Sequence, residues 1–230
     1  MTAVKIGPVR IDGDRRKVSV ALGANPPERR EVRWFETDVY PGLEAAGGPF
    51  ALPQDIVRYR LRPTREGEVT STLPLAGKSH WWIATTPVKI GGRTAFVGFA
   101  PQFENTVTSA ALGALIAREG NGSFSGTSDP VTISHGVKRP VRTVALAKPF
   151  RLGSVSLNSI LVRTTDYGNT DEIPDLQEMA EDPEQIVVQG RAKRRTPLYL
   201  GYIGQDYLKH CSWIEFDKAR KTITLSCIAS

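Results

Sequence analysis

Residues 87 to 107 read Pro87-Val88-Lys89-Ile90-Gly91-Gly92-Arg93-Thr94-Ala95-Phe96-Val97-Gly98-Phe99-Ala100-Pro101-Gln102-Phe103-Glu104-Asn105-Thr106-Val107. Two short apolar runs, Val88 to Ile90 and Ala95 to Phe99, flank a Gly-Gly break, the pattern of a strand, a tight turn and a second strand. The second strand runs directly into Ala100-Pro101-Gln102. What stands at those three positions decides what the hairpin can do.

Working outward, the chain continues in short alternating segments. Val4 to Ile11, Arg16 to Ala21, Arg30 to Phe35, Ile56 to Leu61 and Trp81 to Thr85 precede or reach the hairpin. Pro130 to Ser134, Val141 to Leu146, Leu157 to Arg163, Ile186 to Val188, Trp213 to Phe216 and Thr222 to Ser226 follow it. Strands at this spacing, broken by Gly, Pro and Asn, predict an all-β sandwich or barrel. Helix signals are few: Ser109 to Arg118 with a serine at the N-cap position, one turn at Asp206 to His210, and Pro174 to Ala180.

The 230 residues suffice for one large or two small domains, and with 8 Phe, 6 Tyr and 4 Trp the core must rest on Val, Ile and Leu. The net charge is +6. Its one dense basic cluster, Arg191, Lys193, Arg194 and Arg195, follows seven acids between Asp171 and Glu184, so residues 168–197 read as a charged insertion. No nucleic-acid motif and no interleaved aromatic residues accompany the basic cluster, which argues against nucleic acid as partner. No apolar run reaches 18 residues, which predicts no membrane span, and Met1-Thr2-Ala3-Val4-Lys5 lacks the apolar stretch of a signal peptide. Two cysteines and three separated histidines make no zinc pattern, and neither a metal nor a cofactor is implied.

Two further segments extend the pattern. Thr143-Val144-Ala145-Leu146 is followed by Phe150-Arg151-Leu152-Gly153-Ser154-Val155-Ser156-Leu157-Asn158-Ser159-Ile160-Leu161-Val162. Tyr202-Ile203-Gly204-Gln205-Asp206-Tyr207-Leu208 is followed by an alternating hairpin, Trp213 to Leu225, with a polar loop at Lys218 to Lys221. Gly204 there suggests a tight turn before a short helix. In this order the three segments resemble the retropepsin-like aspartic proteases, over residues 80 to 228. The resemblance implies a closed β-barrel lobe for 80–230. Residues 1–79 are a β-rich region, and a faint internal echo offers two readings of it: a second, reduced lobe in a pepsin-like bilobal arrangement, or an unrelated β extension. In that echo Val9 to Asn25 parallels Val88 to Ala100, Leu52 to Ile56 parallels Ile203 to Tyr207, and Thr70 to Leu73 parallels Thr222 to Leu225. Without a second lobe, a homodimer would be needed to form a cleft.

In that family the first hairpin runs into Asp-Thr/Ser-Gly, and two such aspartates share a proton to activate water. Alignment on Thr106-Val107 puts Ala100 at the aspartate and Gln102 at the glycine, and the echo puts Ala21 at the aspartate of the second lobe. Alanine transfers no proton. Glu104 lies four positions downstream, where the resemblance implies a contact to substrate backbone. Gly120 to Thr127, glycine-rich and including Phe124, Ser125 and Gly126, falls where the family's flap should be. The resulting expectation is an inactive protease-like protein that binds a polypeptide or partner protein along Gln102, Phe103, Glu104, Phe124, Ser125 and Gly126. The alternatives are an enzyme with a displaced site, using Glu104, Asp129 or Asp166, and a structural subunit using its sheet edges.

A closing hairpin centred on Ala219 would pair Asp217 with Lys221, Glu215 with Ile223 and Trp213 with Leu225, bringing Cys211 opposite Cys227. A disulfide there would point to an exported protein. Two buried thiols are the alternative.

Overall fold

A computed structural model describes residues 1–6, 9–21, 23, 26–39, 47–77, 84–164 and 199–228. The charged insertion, Pro174 to Ala180, Ile186 to Val188 and Asp166 therefore lie outside the described residues. The fold is all-β. Its strands form three open sheets, with no closed barrel among the described residues.

The first sheet has three strands in the order β1 (Thr2–Ile6), β2 (Val9–Val20), β3 (Glu28–Phe35), all antiparallel. The expected strands Val4 to Ile11 and Arg16 to Ala21 are divided differently. The chain reverses between Ile6 and Val9, and Val9–Val20 is one continuous strand, not the hairpin that the echo predicts. Asp12-Gly13-Asp14 looks like a turn in sequence, but Gly13 serves another purpose. A Cβ on it would stand 2.4 Å from the Trp34 carbonyl oxygen and 2.5 Å from the Phe35 ring. The glycine admits a neighbouring backbone rather than bending its own.

Seven strands make the second sheet, in the order β6-β7-β12-β8-β11-β10-β9. The hairpin of β6 (Thr85–Ile90) and β7 (Arg93–Phe99) turns at Gly91-Gly92, as expected. β12 (Leu200–Ile203) then lies parallel to β7 and antiparallel to β8 (Val107–Thr108), which runs parallel to β11 (Val155–Arg163). β10 (Val137–Leu152) and β9 (Gly122–Ser134) complete it as a long hairpin. Between β8 and β9, α1 (Ala110–Glu119) begins at Ser109, whose hydroxyl accepts the Leu112 N–H and caps the helix. Leu112, Leu115 and Ile116 bury its inner face.

The third sheet is β4-β13-β14-β5. β13 (Cys211–Asp217) and β14 (Thr222–Ile228) form its centre. β4 (Ile56–Arg60) flanks β13, and β5 (Glu68–Pro74) flanks β14, so strands from before residue 80 and after residue 210 share one sheet. The two echoed stretches are antiparallel neighbours here, with Thr72 opposite Thr224 and their hydroxyls 3.3 Å apart. The β13–β14 register differs by one residue from the expected one: Asp217 pairs with Thr222 and Ile214 with Leu225. The Asp217 carboxylate accepts the Arg220 N–H at 2.7 Å, which fixes a longer loop. A bulge at Ser212 then restores the lost residue, Cys211 lies opposite Cys227, and the two form a disulfide.

Ile203, Leu208, Ile214, Ile223 and Leu225 are at most 1% exposed, and with Leu112, Leu157 and Ile160 they form one core between the second and third sheets. No helix among the described residues is long and apolar enough to cross a membrane.

Candidate functional site

The Ala100–Thr106 loop leaves β7 at the point where β12 runs alongside it, and the segment after β12 laces the loop in place. Ala100 donates its N–H to the Ile203 carbonyl at 2.9 Å, and the Phe103 N–H returns to the Ala100 carbonyl at 2.9 Å, closing a turn. The short helix α2 (Gln205–Leu208) opens against this turn. Gln205 donates its N–H to the Phe103 carbonyl and Asp206 donates its own to the Glu104 carbonyl, at 2.8 and 3.0 Å. The Gln205 side-chain amide reaches the Pro101 carbonyl at 2.6 Å.

Asp206 is the clamp of this arrangement. Its carboxylate accepts the Thr106 N–H at 2.9 Å and the Thr106 hydroxyl at 2.7 Å. The same hydroxyl accepts the Gly204 N–H at 3.0 Å. Gly204 has an extended backbone, so it does not supply the tight turn suggested by its place in the sequence. It supplies room: a Cβ there would lie 2.6 Å from the backbone of Asn105 and 2.9 Å from the Phe103 carbonyl oxygen. Hydrogen bonds to a charged acceptor are stronger than neutral ones, so the loop is rigidly held.

At the head of the loop the Ala100 methyl is fully buried and has no titratable proton. Asp206 is committed to Thr106. Glu104 is exposed, and its carboxylate makes no hydrogen bond among the described residues. Beside the loop, the Phe103 ring packs at 5.6 Å on Tyr202. Burial pushes the Tyr202 phenol up to about 12, against an opposing pull from Arg163. Phe103, Tyr202, Ser109, Thr132 and Ile133 line a small cavity with room for a water molecule.

The expected binding residues divide into two groups. Gln102 and Glu104 are exposed on the loop, and Phe103 is half-buried beside the cavity. Phe124, Ser125 and Gly126 lie in β9, where Phe124 pairs with Val144 and Ser125 with Thr143. The glycine-rich stretch is thus the exit of α1 and the start of a strand, not a hairpin tip. The tip is His135-Gly136, both in the left-handed region with φ of 51° and 71°. Phe124 is 46% exposed and carries the Arg142 guanidinium over its ring at 5.3 Å. It is Thr132 and Ile133, further along β9, that reach the Phe103 cavity. Ala21 is exposed just after β2 of the first sheet, whereas the buried Ala100 follows β7 of the second. The Asp129 backbone lies in β9.

Two hydrogen-bonded clusters have no clear mark in the sequence. Asp206 and Thr106 stand 100 residues apart, and only their places in the quoted motifs hinted at a link. The second is the carboxylate of Glu68 on β5. It takes hydrogen bonds from the Ser226 hydroxyl at 2.7 Å, the Arg62 guanidinium at 2.6 Å, the Arg65 N–H at 3.0 Å and the Ser212 hydroxyl. No sequence signal marks it. Among the described residues no group of three His, Cys, Asp or Glu side chains converges as for a metal. No family model matches the chain, and no curated protein matches it.

Proposed function

We propose that this chain is a retropepsin-like protein without protease chemistry, which binds an extended polypeptide or a partner protein across the Ala100–Thr106 loop and the β9–β10 hairpin. One observation carries the reading: a fully buried alanine methyl heads a loop that is otherwise laced like an active-site loop. On this reading the loop has lost its proton-transferring group while its hydrogen-bonded frame remains. The edge position of β9 supports a polypeptide as the ligand. Its outer edge is unpaired among the described residues, and an extended chain can add there through backbone hydrogen bonds. Phe124 would offer such a chain an exposed aromatic contact.

The test has two arms. The protein should leave denatured casein and peptide libraries intact from acidic to mildly basic pH, and pepstatin-type inhibitors should not raise its melting temperature. Cleavage abolished by Glu104→Gln would overturn the reading in favour of a displaced catalytic site. For binding, Phe124→Ala and Glu104→Ala should each weaken a polypeptide captured by the wild type, with the melting temperature unchanged. Full affinity in both variants would move the interface elsewhere and favour a structural subunit.

A further inference from the structure

We infer that the β2–β3 ribbon of the first sheet is a docking arm for an anionic lipid surface. Between residues 15 and 33 lie Arg15, Arg16, Lys17, Arg29, Arg30 and Arg33 against only Glu28 and Glu31, so 19 residues hold +4 of the chain's +6. The charge is divided between sequence segments and becomes dense only when β2 and β3 pair. On one face Arg15 stands opposite Arg33, Lys17 opposite Glu31 and Ser19 opposite Arg29. Glu31 is shared by Arg33 and Arg15, and Glu28 is taken by Arg30, so the two acids are already committed. Lys17 and Arg29 make no ion pair among the described residues.

The opposite face interleaves apolar and charged side chains. Asp14 pairs with Trp34, Arg16 with Val32 and Val18 with Arg30, which places Trp34, Val32 and Val18 together. They are 43%, 38% and 38% exposed, and Arg16 lies over the Trp34 ring at 6.0 Å. An exposed Trp and two valines beside Arg16 and Arg30, with Arg15, Lys17, Arg29 and Arg33 on the other face, combine apolar and basic side chains as elements that lie in a membrane interface do. Other occupants fit less well. A second copy of the ribbon would bring like charges together. Nucleic acid would satisfy the cations and leave Val18 and Val32 without apolar partners.

The experiment is co-sedimentation of the full chain with vesicles of phosphatidylcholine alone, or of phosphatidylcholine with phosphatidylglycerol, at low and high salt. Binding should require the anionic lipid and weaken with salt. At about fivefold per charge, Lys17→Glu with Arg29→Glu, a swing of four charges, should weaken it on the order of several hundredfold. Val32→Ser with Trp34→Ser should weaken it by roughly tenfold, and Trp34→Phe, which keeps the charges, should abolish most of the lipid-induced blue shift in fluorescence. The exposed positions allow every variant to be checked for an unchanged melting temperature. Equal binding to neutral vesicles, full binding by the charge variant, or full binding by the apolar variant would each overturn the proposal. So would capture of a DNA duplex without capture of vesicles.

Discussion

The first and third sheets are both built from antiparallel strands, the first without a break in register, yet they are held by different forces. In the third sheet Ile214, Phe216, Ile223 and Leu225 are at most 2% exposed, each contributing about 1.5 to 3 kcal/mol by burial. The first sheet has eight aligned pairs between β2 and β3 but buries little. Of its exposed ion pairs only Arg15–Glu31 joins β2 to β3, while Arg30–Glu28 and Arg33–Glu31 lie within β3, a class worth about 0 to 1 kcal/mol each. It meets the rest of the fold where the Phe35 ring contacts His135 at 4.7 Å, where the Arg30 guanidinium donates to the Ala51 carbonyl and, beyond β3, where the His135 N–H donates to the Val39 carbonyl. Register alone therefore does not make a stable unit; a buried face does. The first sheet should open before the core and independently of it.

The largest expected effect comes from the disulfide. Replacing both Cys211 and Cys227 by Ala removes a bridge across a separation of 16 residues, for which chain entropy predicts a loss of about 3 kcal/mol. For a protein of this size that is a fall in melting temperature of roughly 6 to 12 °C. Hydrogen exchange in β2 and β3 should be unchanged at temperatures where the variant core is still folded. Faster exchange in both regions would show one cooperative unit and end the contrast. Intact-mass measurement after alkylation of the denatured, unreduced wild type checks the premise; no cysteine should react.

Two glycines offer a matched comparison. A Cβ at Gly204 and a Cβ at Gly13 would collide with backbone at 2.6 and 2.4 Å, nearly the same steric offence. Gly204→Ala must push apart the Asp206-clamped loop in the core and should cost about 2 kcal/mol of global stability in denaturant titration. Gly13→Ala should abolish exchange protection in β2 and β3 and leave the global midpoint where it was. Similar global losses would mean that the first sheet is structurally coupled to the core despite its exposure.

The same contrast explains what could be read from the sequence. Alternation between apolar and polar residues exposed the all-β class and most strands of the second and third sheets, because those strands bury one face. β2 was misdivided because Gly13 between two aspartates has the composition of a turn, while its real constraint lies on Trp34 and Phe35, more than twenty residues away. β5 was visible only as an echo, since Glu68-Val69-Thr70-Ser71-Thr72 has little apolar character and owes its place to pairing with β14. In the site, Ala100 could be located from its neighbours, because the hairpin before it and Thr106-Val107 after it are local. The Asp206 clamp, the Ser212 bulge and the hairpin tip at His135-Gly136 are products of tertiary pairing that no local pattern announces.

The sharpest separation of the regions should come from two glutamates that both have lowered pKa values. At Glu68, burial alone would raise the value, but hydrogen bonds from Ser212, Ser226, the Arg65 N–H and Arg62 pull it from the ordinary 4.5 to about 2. At Glu31 the hydrogen bond from Arg33 lowers the value, with burial opposing and the charges of Arg33, Arg15 and Lys17 adding to it. A carboxylate lowered in the folded state stabilises fully above its unfolded value, and that contribution is lost as pH falls through the folded value. For Glu68 the window runs from about 4.5 down to about 2. The Glu68 side chain is 4% exposed and sits in the sheet that carries the core, so its titration should register in global unfolding. Glu31 is 37% exposed in a sheet that opens on its own, so salt should screen its partners and global unfolding should not detect it. Denaturant titrations of wild type, Glu68→Gln and Glu31→Gln at pH values above and inside this window decide the matter. The gap between wild type and Glu68→Gln should narrow as pH falls, because protonated Glu68 approaches the neutral amide. Glu31→Gln should follow the wild type throughout, and a gap that narrowed equally for Glu31→Gln would place both glutamates in one cooperative unit.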